Sequence, residues 1–256
     1  VIKPIHDART PLLVTVTGEP FQPVRLYYAV PSRRVATKAL ETLRCIDKDE
    51  RAKCWVWLYV DEAASLTFER ARKDLPAGVH PIVIGRFRFP DKNFMALEVR
   101  SVPRAIEAAK FFAPILGPSI VLTRLRVINR WFKVEEATAG LDRLDKLLDA
   151  NVVRVNPKDA EDALVQAMAG TRTQEEKLAA FWAHMETVRR KDVPLVEDFP
   201  LIPEEETPEF QDLTLTLRFR TIRAFEHWQG NTGITLADVI QRVVKQTKGG
   251  EQRLDG

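Results

Sequence analysis

Cysteine is scarce in this chain: Cys45 and Cys54 are the only two in 256 residues. That is too few for a disulfide framework, and their spacing fits no zinc template. Two buried thiols in a reducing, intracellular compartment are the expectation. Histidine is nearly as rare, and His6, His80, His184 and His227 form no pair at metal-binding helical spacing. No phosphate-cradling GxxxxGK[ST], no dinucleotide GxGxxG, no HExxH and no GxSxG elbow occurs. The expectation is a non-enzymatic protein without cofactor or metal, an enzyme lacking any recognisable motif being the alternative. Long apolar runs are also missing. The best candidates, at 111–116 and 120–127, are interrupted by Pro114, Gly117, Pro118, Arg124 and Arg126 and fall short of the about 18 residues a membrane helix needs. A one-sided charge is absent too: 39 Lys and Arg stand against 36 Asp and Glu, which excludes a uniformly basic, histone-like chain.

What remains is an ordinary globular composition, 45% hydrophobic and 29% charged, with length for one large domain or two small ones. The opening residues carry no signal-peptide pattern. Val1 stands where Met would, which raises the expectation of a processed product, a truncation or the ordered part of something longer; with the mildly basic balance it points to the mitochondrial matrix. Residues 12–17 and 24–30 read as strands joined through Gly18-Glu19-Pro20. Ser32 caps a helix over 33–45, and 53–60 is an aromatic and β-branched strand. A helix is expected over 62–74, strands over 81–89 and 93–100 around the turn Pro90-Asp91-Lys92, a helix over 102–116 capped by Ser101, and a strand over 119–128. Beyond these lie three amphipathic helices at 134–150, 157–169 and 173–191, the last opened by a capping box of Thr173 and Glu176. Residues 192–212 hold eight acids, four prolines and no Lys or Arg, and read as an extended acidic arm. An alternating strand at 213–220 and a helix at 235–248 capped by Thr235 complete the chain, with 249–256 frayed.

The order over 53–128 is strand, helix, strand, strand, helix, strand, that of a ferredoxin-like sandwich. Within it, Lys92, Phe94 and Leu97, followed by Arg100-Ser101-Val102 and the alanine-rich Ala105-Ile106-Glu107-Ala108-Ala109, resemble the third strand and second helix of an RNA recognition motif, in particular the polypyrimidine-tract splicing-factor version. Ala96 and Val99 stand where that family usually has aromatics. The resemblance implies an antiparallel sheet with helices on one face, the α+β class, and RNA as partner. The domain reading is an N-terminal hairpin and helix over 1–52, either separate or part of the sheet domain, an RNA-recognition-motif-like unit over 53–130, a helical extension over 131–191, the arm over 192–212, and a strand and helix over 213–256.

Strand alternation places Trp55, Trp57 and Tyr59 on one face, and Phe94, Ala96 and Glu98 on one face of the later strand. With the aliphatic residues given to the helices, Trp55, Trp57 and Phe94 would lie on the open face, where bases stack. Burial of that face under the C-terminal helices or a protein partner is the competing reading, and Glu98 there disfavours phosphate. Arg86 and Arg88 alternate with Phe87 and Phe89; Arg124, Arg126, Arg130 and Lys133 fall in 117–133 with no acid; Arg218, Arg220 and Arg223 follow later. Such clusters are phosphate contacts in a nucleic-acid protein, or solvated strand edges otherwise. The leading expectation is an RNA-associated component of a ribonucleoprotein such as a ribosome or RNA-processing assembly. The alternative is an adaptor subunit that binds proteins through the same sheet and the arm. Glu204-Glu205-Glu206 would dock on a basic partner or fold back over the chain's own basic strip, or stay a solvent-exposed linker, the commoner case.

Overall fold

The fold is seen in a computed structural model, which describes residues 11–138, 144–154, 156–190, 193–201 and 209–251. It is α+β, built on one eight-stranded sheet in the order β2-β3-β4-β5-β1-β6-β8-β7. The strands are β1 (Val24–Ala29), β2 (Ile46–Asp49), β3 (Cys54–Leu58), β4 (Val83–Arg88), β5 (Phe94–Val99), β6 (Val121–Ile128), β7 (Val152–Arg154) and β8 (Val196–Pro200). All neighbouring strands run antiparallel except β7 and β8. Eight α-helices are present among the described residues: α1 (Arg33–Leu40), α2 (Val102–Phe112), α3 (Val134–Thr138), α4 (Leu144–Asp149), α5 (Pro157–Met168), α6 (Gln174–Arg190), α7 (Glu209–Trp228) and α8 (Leu236–Glu251). None of the helices is long and apolar enough to cross a membrane.

Local chemistry places the helices that cover the sheet. Ser32 accepts the Val35 N–H, and Ser101 accepts the Arg104 N–H with Pro103 in the first turn of α2; both serve donors that a helix N-terminus leaves unpaired. The main core lies between these helices and the inner face of the sheet. Val24, Leu26, Met95, Leu97, Val99, Leu125 and Val127 meet Ala36, Leu40, Ala105, Ala109 and Phe112, and α7 adds Leu213 and Leu217. A smaller cluster of Phe21, Ile128, Phe132, Leu148 and Val196 seats α4 against the opposite, outer face.

Several expectations are corrected. Residues 12–17 form only isolated bridges, Leu12 to Lys133 and Val14 to Pro20. The first helix ends at Leu40, and β2 follows it. The helix expected over 62–74 is a loop with short 3-10 turns at Asp61–Ser65, Arg72–Asp74 and Ala77–Val79. It is held by tertiary contacts: the Tyr59 hydroxyl donates to the Leu66 carbonyl at 2.7 Å, and Phe68 packs edge-on to Tyr59. The span 134–150 holds two helices, α3 and α4, and residues 139–143 lie outside the described residues. The acidic arm contains β8, inserted between β6 and β7, because its acids have partners: Asp198 meets Arg126 and Glu197 meets Arg220. Glu204, Glu205 and Glu206 lie outside the described residues, as do 252–256, while 249–251 are helical. The strand expected at 213–220 is part of α7, with Leu213 and Leu217 four residues apart in the core and Leu215 exposed.

The sheet also joins the proposed N-terminal unit to the one that follows. β1 lies between β5 and β6, whereas β3 pairs with β2 and β4.

The Glu62 carboxylate, at the start of the 61–75 loop, accepts the backbone N–H groups of Arg44 (3.2 Å) and Cys45 (2.9 Å). Hydrogen bonds from its own backbone N–H and from these two hold it at about 2, below the ordinary 4.5. A depressed carboxylate contributes stability above its unfolded value and loses it as pH falls through the folded one. Glu62→Gln is therefore expected to lower the urea midpoint at neutral pH, with the gap to the parent chain closing between pH 4.5 and about 2. Cys45, next to it, is buried and pushed up to about 12, first by burial and then by Glu62, so its thiol is not poised as a nucleophile.

Candidate functional site

Alternation along four strands, β1, β4, β6 and β7, gathers arginines on the outer face of the sheet. On β1, Arg25 and Tyr27 point outward while Val24, Leu26 and Tyr28 enter the core. Register places Arg25 opposite Glu98 on one side and Arg126 on the other, and Tyr27 opposite Ala96 and Arg124. Arg86 stands opposite Glu98, Arg88 opposite Ala96, and Asp198 opposite Arg126. The result is a cleft of about 750 Å³, lined by five arginines (Arg25, Arg88, Arg124, Arg126, Arg154) and three carboxylates (Asp91, Glu98, Asp149), with Tyr27, Phe89, Phe94 and Ala96 among its apolar surface.

The floor of this cleft is a charge network. Arg25 contacts Glu98 through Nη2 at 2.6 Å and Asp149 through Nη1 at 2.7 Å, and donates to the Tyr27 hydroxyl at 3.1 Å. Burial alone would lower the Arg25 pKa, but the hydrogen bond to Asp149 and the charge of Glu98 outweigh it and raise it above arginine's ordinary value. Arg126 holds Asp198 at 2.6 Å and also meets Asp149. Arg124 lies over the Tyr27 ring at 3.8 Å, a cation–π distance, with Asp198 at 3.4 Å. The outer arginines are less engaged. Arg88 reaches Glu98 only at 3.7 Å, and the buried Nε of Arg86 has no hydrogen-bond partner. Donors of this kind, on a concave surface in which arginines outnumber carboxylates, suit an oxyanion ligand.

Of the residues singled out from the sequence, Phe94, Arg88, Arg124 and Arg126 line the cleft, and Arg86 belongs to the same outer row. Trp55 and Trp57 do not. Both face the core, where Trp57 packs against Phe111 and Phe112 with ring centroids 5.5 and 4.9 Å away. Gly85 opposite Trp57 leaves room for the indole, because a Cβ there would meet Trp57 at 3.1 Å. Arg130 lies beyond the end of β6, paired with Glu136 at 2.8 Å and stacked over Phe132. Lys133 is exposed, and its backbone N–H is tied to Glu136. Arg218 and Arg220 ride on α7, and Arg220 grips Glu197 at 2.7 Å. Glu226 and His227 join α7 to the turn before α8: Glu226 accepts from Asn231 at 2.7 Å, and the His227 ring lies 3.3 Å from the Ile234 carbonyl. Sequence reasoning missed Arg25, Tyr27, Asp149, Arg154 and Asp198. The alternation of Arg25 with Val24 and Leu26 was a local signal for the first of these; Asp149 and Asp198 come from elements whose approach is tertiary.

Among the described residues, no three of the His, Cys, Asp and Glu side chains are grouped to hold a metal ion. Comparison with protein-family models, curated proteins and solved structures found no match to this chain.

Proposed function

We propose that the chain is a non-enzymatic RNA-associated protein, a component of a larger ribonucleoprotein, that holds single-stranded RNA on the outer face of its sheet. The observation that carries this reading is the arginine-lined cleft itself, with Phe94 at its wall. Arg86, Arg88, Arg124 and Arg154 are assigned to phosphates and Phe94 to a base. The topology supports it as well. Strands β6-β1-β5-β4 lie side by side, with α1 following β1 and α2 linking β5 to β6, an order that fits a ferredoxin-like sandwich starting at Val24 rather than at Lys53. In an RNA recognition motif, aromatics on the two central strands stack bases, and Tyr27 and Phe94 occupy those strands here. The carboxylates Glu98, Asp149 and Asp198 are engaged with arginines, which favours binding over proton-transfer chemistry.

The test is fluorescence anisotropy of a labelled single-stranded RNA with the whole chain. Four phosphate contacts predict that affinity falls roughly fifty-fold between about 50 and about 200 mM salt. The R88E/R124E double variant is expected to weaken binding further and to flatten that slope. An absence of binding at low salt rejects the reading. An adaptor role would then gain from Leu178 and Trp182, which lie one helical turn apart on α6 and are 57% and 62% exposed, since exposed apolar surface of this kind marks protein interfaces.

A further inference from the structure

The charge network on the cleft floor contains one carboxylate more than its two buried arginines require. Arg25 already has Glu98, contacted by Nε at 2.9 Å and Nη2 at 2.6 Å. Arg126 already has Asp198, held through Nε at 2.9 Å and Nη2 at 2.6 Å. Both of those carboxylates are buried, with 6% and 1% of their side chains exposed, whereas Asp149 is 52% exposed. Yet both arginines turn their remaining Nη1 onto the same atom, Asp149 Oδ1.

Asp149 differs from the other two in origin as well. Glu98 and Asp198 belong to sheet strands in register with the arginines they serve. Asp149 is the last residue of α4, which leans on β6 through Leu148. An acid at a helix C-terminus meets the negative end of the helix dipole, so the local structure does not favour a carboxylate there. Two guanidinium groups converging on one oxygen, in a cleft also lined by Arg88 and Arg124, is the arrangement that receives a phosphate oxygen.

We propose that the paired Nη1 groups of Arg25 and Arg126 are a phosphate subsite of the cleft, and that the Asp149 carboxylate fills it as an internal stand-in until a ligand phosphate displaces it. This rests on the RNA reading for the identity of the natural ligand, a phosphodiester, but the subsite is defined by oxyanion chemistry. An internal competitor reduces apparent affinity by the fraction of time it leaves the site free. If the carboxylate holds the arginines about 90% of the time, its removal raises affinity about tenfold.

The experiment is calorimetric titration of the full chain with inorganic phosphate and, separately, with single-stranded RNA, for the parent, Asp149→Asn and Asp91→Asn. Asp91 lines the same cleft, but its carboxylate accepts the Asn93 and Phe94 backbone N–H groups at 2.7 and 3.0 Å rather than an arginine. Asp149→Asn is expected to tighten phosphate about tenfold, and Asp91→Asn, with the same change of charge, by less than about threefold. Equal gains in the two variants, or none in Asp149→Asn, overturn the proposal. A measurement on the parent chain does not depend on any variant folding: saturating phosphate must shift the Arg25 and Arg126 side-chain N–H resonances, and phosphate binding that leaves them unmoved overturns the proposal too. A tenfold phosphate gain without RNA binding by either chain supports the subsite and rejects the RNA reading. RNA binding by the parent with no phosphate gain in Asp149→Asn does the reverse.

Discussion

Replacing Trp57 with alanine is expected to destabilise the fold strongly rather than to weaken RNA binding directly. The indole is fully buried between β3 and α2, packed against Phe111 and Phe112, with Gly85 and Leu97 beneath it. Truncating a buried aromatic of this size costs about 3–5 kcal/mol, through lost transfer energy and the cavity left behind, against a total of about 5–15 kcal/mol for a typical domain. Trp57→Phe separates the two roles. It keeps a ring in the aromatic stack and removes an indole N–H that has no acceptor, so its cost is expected to be much smaller. Urea denaturation gives the ordering, with the alanine midpoint far below those of the parent and the phenylalanine variant. RNA affinity measured on the folded Trp57→Phe chain is expected to match the parent. A selective loss of RNA affinity in that variant, at unchanged stability, would return Trp57 to the binding face and contradict its packing.

The two tryptophans show where a sequence stops being informative. Alternation states which residues share a face, and it grouped Phe94 with Glu98, and Met95 with Leu97 and Val99, as the structure does. It does not state which face meets the helices. The aliphatic side was assigned to the core on β3, but α2 ends in Phe111-Phe112 and Gly85 opens a space across the strand, so an aromatic core fits there. Elements with their own caps were legible: α2 from Ser101 and Pro103, and α6 from Thr173 and Glu176, whose reciprocal bonds are both formed. Strand β8 was illegible because Glu197 and Asp198 read locally as solvated charge, and their burial depends on Arg220 and Arg126 arriving from elsewhere. Segment 213–220 alternates, but its leucines also satisfy an i, i+4 stripe, and packing against α2 decides for the helix. At the site, arginines of β4 and β6 were found by their spacing, whereas the acids that complete the network could only be found in space. The near-zero net charge concealed both halves of it: Arg124 and Arg126 of the basic strip share Asp198 of the acidic segment.

A second large effect is expected at Arg104, away from the cleft. Its guanidinium is buried in the first turn of α2, where the helix dipole disfavours a cation. Glu19, fully buried, lies 3.7 Å away. Between them a hydroxyl relays the contact: Arg104 Nη2 donates to Thr17 Oγ1 at 2.6 Å, and Thr17 donates to Glu19 at 2.7 Å. Thr15 donates to the same carboxylate. The turn that carries Glu19 passes through Gly18 at φ +96°, a backbone region that an L side chain rarely adopts. The turn is also pinned to the 61–75 loop by the Arg70 N–H to Thr17 carbonyl bond at 2.8 Å. Burial lowers the Arg104 pKa to about 10 despite the opposing pull of Glu19, so the group is still charged at neutral pH. Removing one member of such a pair leaves the other charge buried alone, at a cost of about 3–5 kcal/mol, whereas replacing both with apolar groups is often nearly neutral. Arg104→Met and Glu19→Leu are therefore each expected to lower stability strongly at pH 7, and the double variant to recover most of the loss. Urea midpoints of the four chains close the cycle. Additive losses in the double variant would mean that the two side chains act independently, and that the N-terminal turn is held by its backbone contacts instead.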